Sequence, residues 1–311
     1  MSGGRARATA FAPASIGNAA VGFDVLGHTL ASPGDRVTVT RTNSGTVRIV
    51  AIRGVEVALP GDAAANTAGR ALLDLLALAP AGWGFDVEID KGIALASGMG
   101  GSAASAVAAV VAANALLPAA LDTARLYAAA MQGEAAASGA PHGDNVGPAL
   151  LGGLVIAPAH GAPVRVPTPD WLHIGLVRPH LALETRRARA VLQGPYELGD
   201  FVRQSEGLAL VLAGCFTSDA DLLRRGLRDV LVEPRRAPLI PGFAGVQAAA
   251  LAHGALGASI AGGGPSVFGW FDSAAAAERA TEAMSAAFAA AGLASDRHVS
   301  RVGSPGASVV A

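Results

Sequence analysis

Apolar residues recur along this chain in two rhythms. Alternation marks strands at residues 37–42 (VTVTRT), 47–52 (VRIVAI) and 85–90 (FDVEID), with Asn43, Ser44 and Gly45 as a turn between the first two. Helical spacing runs through residues 66–78 (NTAGRALLDLLAL), where Asn66 is placed to cap the first turn. Residues 103–117 form an alanine-rich apolar stretch ending at Pro118, and residues 121–138 a second helix, opened by Asp122 and closed by Gly139. Beyond them, 172–177 (LHIGLV) and 267–271 (VFGWF) read as strands, 198–216, 243–254 and 273–291 as helices, and 298–302 as a last edge strand. Gly and Pro crowd residues 147–170, which places a change of domain near residues 158–169. The second half mixes strands and helices in an order suited to an antiparallel sheet covered on one face. That is α+β rather than a parallel doubly wound sheet. No internal repeat is visible.

Composition narrows the choices. Hydrophobic residues make up 51% of the 311, too many for a disordered chain. The formal net charge is −1 and no basic block occurs, which argues against a nucleic-acid partner. The stretch 103–117 is shorter than the ~20 apolar residues a membrane span needs, and it contains Ser105 and Asn114. A buried helix is the expectation, with no membrane partner. The opening MSGGRARATAFAPAS lacks the apolar run of a secretory leader, so a cytoplasmic protein is expected. Cys215 is the only cysteine and lies in the apolar run LALVLAGCF, as a small core residue would.

One count bears directly on chemistry. Lys91 is the only lysine among 23 basic residues, and it follows Asp90 rather than a glycine. A phosphate loop of the GxxxxGK[ST] kind is therefore absent. Lys91 itself is expected to have no chemical role. Two glycine-rich segments remain as candidates. Residues 94–104 (ALASGMGGSAA) join a strand to the 103–117 helix. Gly98, Gly100 and Gly101 let the backbone approach a ligand, and the helix N-terminus offers free N–H groups to an anion such as phosphate. With no lysine in the loop, charge compensation would fall to N–H groups, the helix dipole and a metal ion. A flexible turn before a close-packed helix is the other reading, and spacing alone leaves both open. Residues 262–266 (GGGPS) lie between apolar strands; their glycines also allow close backbone approach, but by themselves they read as a hairpin connection.

Together with three further segments, these loops resemble the GHMP small-molecule kinases, and within them the homoserine kinases. The segments are 13–26 (PASIGNAAVGFDVL), 141–153 (PHGDNVGPALLGG) and 233–243 (EPRRAPLIPGF), with SIAGGGPSVF at 259–268 as the third family motif. They stand in the family's order from residue 11 to about 270. The phosphate loop departs from the usual pattern: Ala94 replaces a proline, and Gly101 the first of two serines. The third motif reads GGGPS where GSGPS is common.

The resemblance implies a two-domain α+β fold. Residues 1–160 would form an ATP-binding domain like domain 2 of ribosomal protein S5, and 161–311 a ferredoxin-like domain. It implies ATP and Mg²⁺ as cofactors, L-homoserine as substrate and a homodimer. ATP would lie on Ala94, Leu95, Ala96, Ser97, Gly98, Met99, Gly100, Gly101, Ser102, Ala103 and Ala104, with Asn66 in the adenine pocket. Ser102 and Glu134 would hold Mg²⁺. Asp144, Asn145 and Thr185 would serve the reacting centre. Asp144 is either a base or a bystander to direct attack by the hydroxyl. Arg189 and Arg236 would clamp a carboxylate, Asn18 and Asp24 an ammonium group, and His142 would line the acceptor site. A kinase of another small alcohol such as mevalonate, or a silent binding protein of the same fold, would share most of these features.

Overall fold

The computed structural model describes residues 6–139, 141–159 and 161–310. Residues 1–5, part of the opening read for a leader, and His160, at the expected domain division, lie outside them. Strands β1 (Arg7–Gly17), β2 (Leu26–Thr42), β3 (Val47–Arg53), β4 (Gly84–Asp90), β5 (Leu154–Ile156) and β6 (Val164–Val166) share a seven-stranded sheet with β11 (Ser308–Val310). The order β11-β1-β2-β4-β3 puts β4 between β2 and β3. The Asn43–Ser44–Gly45 turn therefore closes no hairpin: β3 runs parallel to β4, and β2 antiparallel to it. The alternation explains the registry, since Val37 faces Ile89 and Val39 faces Val87, all buried.

Helices α1 (Thr67–Leu78), α2 (Gly101–Asn114), α3 (Thr123–Ser138) and α4 (Gly143–Leu151) accompany this sheet. Helix α2 is the central one. It is buried on nearly every side, from Ala103 through Val110. Only small side chains permit that, because each neighbour then packs against the backbone itself. That is the buried helix expected of the 103–117 stretch. Among the described residues no helix is long and apolar enough to cross a membrane.

The second sheet holds β7 (His173–Pro179), β8 (Gly257–Ile260), β9 (Val267–Phe271) and β10 (Ser295–Arg301), all antiparallel, in the order β10-β7-β9-β8. Between β7 and β8 run α5 (Thr185–Ala190), α6 (Leu198–Thr217), α7 (Ala220–Gly226), α8 (Glu233–Arg236) and α9 (Phe243–Ala252). Helix α10 (Ala274–Ala290) joins β9 to β10. Numbering the four strands along the chain gives the spatial order 4-1-3-2, the ferredoxin-like arrangement. Helices α9 and α10 cover one face through Phe243, Val246, Met284 and Phe288.

The other face is covered too, contrary to the one-sided reading. Ile174, Leu176, Phe268 and Trp270 enter the same core as Ile16, Leu26 and Leu30 of the first sheet. That is why VFGWF is apolar at every position. Strand β11 then returns to pair with β1, Val310 facing Thr9. The fold is the two-domain, mixed α and β architecture expected.

Candidate active site

Segments far apart in sequence meet around a cleft of about 200 Å³. The loop after β1 supplies Asn18 and Asp24. Asn18, Ala19, Ala20 and Asp24 all have positive φ, as does Ala96 in the glycine-rich loop; Ser218 is the other such non-glycine residue described. Backbone strain of this kind persists only where the surroundings enforce it, and it gathers at functional sites. Here the enforcing bonds are visible. Asn18 accepts from the Asp24 N–H at 3.1 Å and donates to the Gly262 carbonyl at 2.9 Å.

The loop between β4 and α2 is fixed from several directions. Ser15 N–H donates to the Met99 carbonyl at 3.1 Å, Leu183 N–H to the Ala96 carbonyl at 3.0 Å, and the Ser266 hydroxyl to the Ser97 carbonyl at 2.7 Å. Gly98 has φ +78°, and a side chain there would press on the carbonyls of Ala261 and Gly264. The GGGPS segment is the hairpin connection between the antiparallel β8 and β9, as read from the sequence, and it also forms a wall of the loop. Gly100 caps α2 with φ +67° and no side chain satisfies the first-turn N–H groups, which open onto the cleft. A phosphate fits that cradle on backbone donors and helix dipole alone.

Ser102, in the first turn of α2, donates to Glu134 Oε2 at 2.5 Å. Glu134 lies on α3 and is buried. Gly133 beside it lets α3 approach α2 so closely that a methyl group would meet Ala106 Cβ at 2.9 Å. Among the described residues, no cluster of three or more His, Cys, Asp or Glu side chains could hold a metal. Ser102 and Glu134 offer two hard oxygens, a donor set that fits Mg²⁺ sharing its shell with phosphate oxygens and water.

Helix α4 starts at the cleft, with His142 at its N-cap and Asp144 and Asn145 in its first turn. Gly27 permits this placement, since a Cβ there would run into the Asp144 backbone. Asp144 Oδ2 accepts from the Asn18 N–H at 3.0 Å. Burial, then the charge of Asp24, pushes the Asp144 carboxyl up to about 7. Asn145 Oδ1 accepts from the Ser15 hydroxyl at 3.0 Å, while its Nδ2 makes only a long 3.4 Å contact to Asp144. Burial and the Arg189 charge hold His142 below its usual range, so its imidazole is neutral near pH 7.

Two arginines close the opposite wall. Arg189 grips Asp24 through a two-pronged pair at 2.6 and 3.0 Å, and its buried Nε bonds nothing among the described residues. Arg236, 2% exposed, donates from Nε to the Ala188 carbonyl and from Nη1 to the Gly262 carbonyl. Both guanidiniums lie over the Phe23 ring, 5.4 and 5.3 Å from its centroid. Burial lowers the pKa of Arg236, and the adjacent Arg189 charge adds to this.

The cleft gathers Asn18, Asp24, residues 94–102, Glu134, His142, Asp144, Asn145, Thr185, Arg189 and Arg236. It does not take in Asn66, Ala103 or Ala104. Asn66 spends both side-chain groups locally: Oδ1 caps α1 by accepting from Ala68 and Gly69 N–H, and Nδ2 donates to the Pro60 carbonyl. Ala103 and Ala104 are wholly buried in the packing of α2, and the Ala104 N–H already bonds the Gly100 carbonyl. Gly262 and Gly263, in the second glycine-rich segment read from the sequence, also line the cleft, whereas sequence reasoning missed Ser15 and Phe23. Phe23 adjoins Asp24 and could have been weighed as an arginine platform; Ser15 carries no local signal.

Fold and cleft together have the form of a kinase of small molecules. The family model for the GHMP kinases N terminal domain matches residues 64–153, and that for the GHMP kinases C terminal matches residues 210–290. The chain is 58% identical over 308 residues to homoserine kinase of Xanthomonas campestris pv. campestris (strain B100), covering 99% of this chain and 95% of that one. It is 58% identical over 302 residues to homoserine kinase of Xylella fastidiosa (strain M12), covering 97% and 93%. The crystal structure of homoserine kinase from Cytophaga hutchinsonii ATCC 33406 superposes with TM-score 0.95 at 39% identity, covering 98% of each chain. The chain belongs to the GHMP kinases and, within them, to the homoserine kinase family.

Proposed function

We infer that the chain transfers the γ-phosphoryl group of ATP to the side-chain hydroxyl of L-homoserine, giving O-phospho-L-homoserine and ADP for threonine biosynthesis. The observation that carries this is the charge order along one wall. The carboxylate of Asp24 stands beside the guanidinium of Arg189, with Arg236 next to it, in the cleft that also holds the phosphate loop. A zwitterionic amino acid matches that order, with its ammonium on Asp24 and Asn18 and its carboxylate on Arg189 and Arg236. An acceptor with a carboxylate alone would bring no ammonium group to the Asp24 and Asn18 side of that wall.

In this reading the backbone of residues 98–102 cradles the phosphates. Ser102 and Glu134 would hold Mg²⁺, which would supply charge neutralisation at the phosphate oxygens. Asn145 Nδ2 donates to the acceptor hydroxyl, and Thr185 supports the reacting centre. The hydroxyl oxygen bonds to the γ-phosphorus as the bond to ADP breaks, and its proton passes to Asp144. With its pKa near 7, that carboxyl suits the transfer at neutral pH. We take the enzyme to act as a cytoplasmic homodimer; light scattering of the purified chain tests the dimer.

The deciding experiment follows ADP release with ATP, Mg²⁺ and a panel of homoserine, threonine, mevalonate and galactose. Turnover preferring homoserine is expected; preference for mevalonate, or no turnover with any acceptor, overturns the reading. Glu134→Ala is expected to lower kcat and shift the Mg²⁺ dependence to higher concentration, with the KM for homoserine little changed. Normal turnover at limiting Mg²⁺ would remove Glu134 from the metal site.

A further inference from the structure

Lys91, read from the sequence as having no chemical role, is deeply engaged. Its ammonium group is buried and pairs with the buried carboxylate of Asp35, a residue of β2. Its other donors reach the Gly101 carbonyl at 2.7 Å and the Ser105 hydroxyl at 2.9 Å. Three protons therefore find three acceptors, and none is left for a ligand. Asp35 is equally committed. Oδ1 accepts from the N–H groups of Gly92 at 3.0 Å and Ile93 at 3.2 Å, and Oδ2 accepts from the Ser105 hydroxyl at 2.7 Å as well as from Lys91.

The pair thus holds both ends of the glycine-rich loop. Gly92 and Ile93 enter it, Gly101 and Ser105 leave it, and the residues between them line the cleft. An ion pair so deeply buried stabilises a fold little in comparison with apolar side chains of similar volume. What it does supply is direction, because each bond fixes one backbone or hydroxyl group. The loop needs that direction. Its glycines give it no stiffness of its own, and α2 begins without a side-chain cap. Lys91 also lies close under the loop: a Cβ on Gly101 would be 3.5 Å from its Nζ.

We propose that Lys91 and Asp35 form a buried positioning pair that fixes the opening turn of α2, so that its N–H groups and the Ser102 hydroxyl face the nucleotide phosphates. This rests on the reading of the loop as the ATP site. Lys91 touches no substrate; it acts through Gly101 and Ser105.

The test is Lys91→Met combined with Asp35→Asn. Both charges go, while the asparagine oxygen can still accept from Gly92 and Ile93. Melting temperature and circular dichroism report whether the double variant is folded. Steady-state constants for ATP and homoserine, with the Kd of a fluorescent ATP analogue, report the loop. The expected result is a KM and Kd for nucleotide raised about tenfold or more, a size typical of displaced positioning groups, with the KM for homoserine unchanged. No rise for nucleotide, or an equal rise for homoserine, overturns the proposal. Should the double variant not fold, Ser105→Ala, which removes one hydroxyl and keeps both charges, is judged by the same criterion. If the parent protein itself neither binds nor uses ATP, it is the assignment of the loop that has failed, a result distinct from any behaviour of the variants.

Discussion

Asp144 separates two accounts of the reaction. Burial in the first turn of α4 and the charge of Asp24 push its carboxyl up to about 7. If it takes the hydroxyl proton, kcat/KM for homoserine rises with pH through an acidic limb near 7, as protonated Asp144 loses its proton. Asp144→Asn removes that limb and costs about 10²–10⁴-fold in kcat, the usual contribution of a positioned base. Retention of kcat by this variant would favour unaided attack by the hydroxyl. Arg236 tests the acceptor clamp. Arg236→Ala is expected to raise the KM for homoserine about ten- to a hundredfold, the equivalent of losing a hydrogen bond to a charged group. The KM for ATP should hardly move, and comparable changes in both would dissociate Arg236 from the carboxylate. The variant will also be less stable, because the Ala188 carbonyl loses its Arg236 donor and the Gly262 carbonyl keeps only that of Asn18.

Elements whose chemistry is local were the ones legible in the sequence. The helix read at residues 121–138 is Thr123–Ser138, with Asp122 accepting from the Arg125 N–H and Gly139 ending it at φ +80°. The helix read at 273–291 is Ala274–Ala290, capped by Ser273. Helix α4 was not legible. Gly143, Gly147 and Pro148 lower its helix propensity, and packing against β1 and β2 decides it instead. Strand β1 hides for a related reason: buried continuously from Ala12 to Gly17, it shows no alternation there to read. The GGGPS segment backs the glycine-rich loop at Ser97 and Gly98. Gly98→Ala should lower the melting temperature and weaken nucleotide binding together. A methyl group there lies 2.7 Å from the Gly264 carbonyl, and the positive φ adds about 1 kcal/mol or more of strain. Unchanged nucleotide affinity in this variant would mean that the wall can give way.

At the scale of the whole molecule, His28 and Trp270 join the two sheets. Trp270 Nε1 can only donate, and does so to His28 Nε2 at 3.0 Å, so the His28 proton sits on Nδ1, 3.1 Å from the Thr29 carbonyl. Burial lowers the pKa of His28 to about 4, below its ordinary 6.5. The unfolded chain therefore binds the proton first on acidification. Stability from the neutral ring is complete above about pH 6.5 and declines as pH falls towards 4, by roughly 3 kcal/mol in all. His28→Leu should be less stable at pH 7, since the indole N–H is orphaned, and should flatten that decline; an unchanged pH dependence would place the acid sensitivity elsewhere. By itself the sequence determined the mixture of strands and helices and several helix ends, because caps and apolar periodicity are local signals, while the two-domain fold and the residues expected at the cleft came from its resemblance to the GHMP kinases. Only the tertiary structure decided that Lys91 braces the loop from beneath through Asp35, that Phe23 lies under both arginines, that Asn66, the helix cap read from the sequence, stays outside the cleft, and that burial raises the Asp144 carboxyl. Each of these depends on burial, or on a neighbour distant in the chain, and neither is written in a residue's own stretch of sequence.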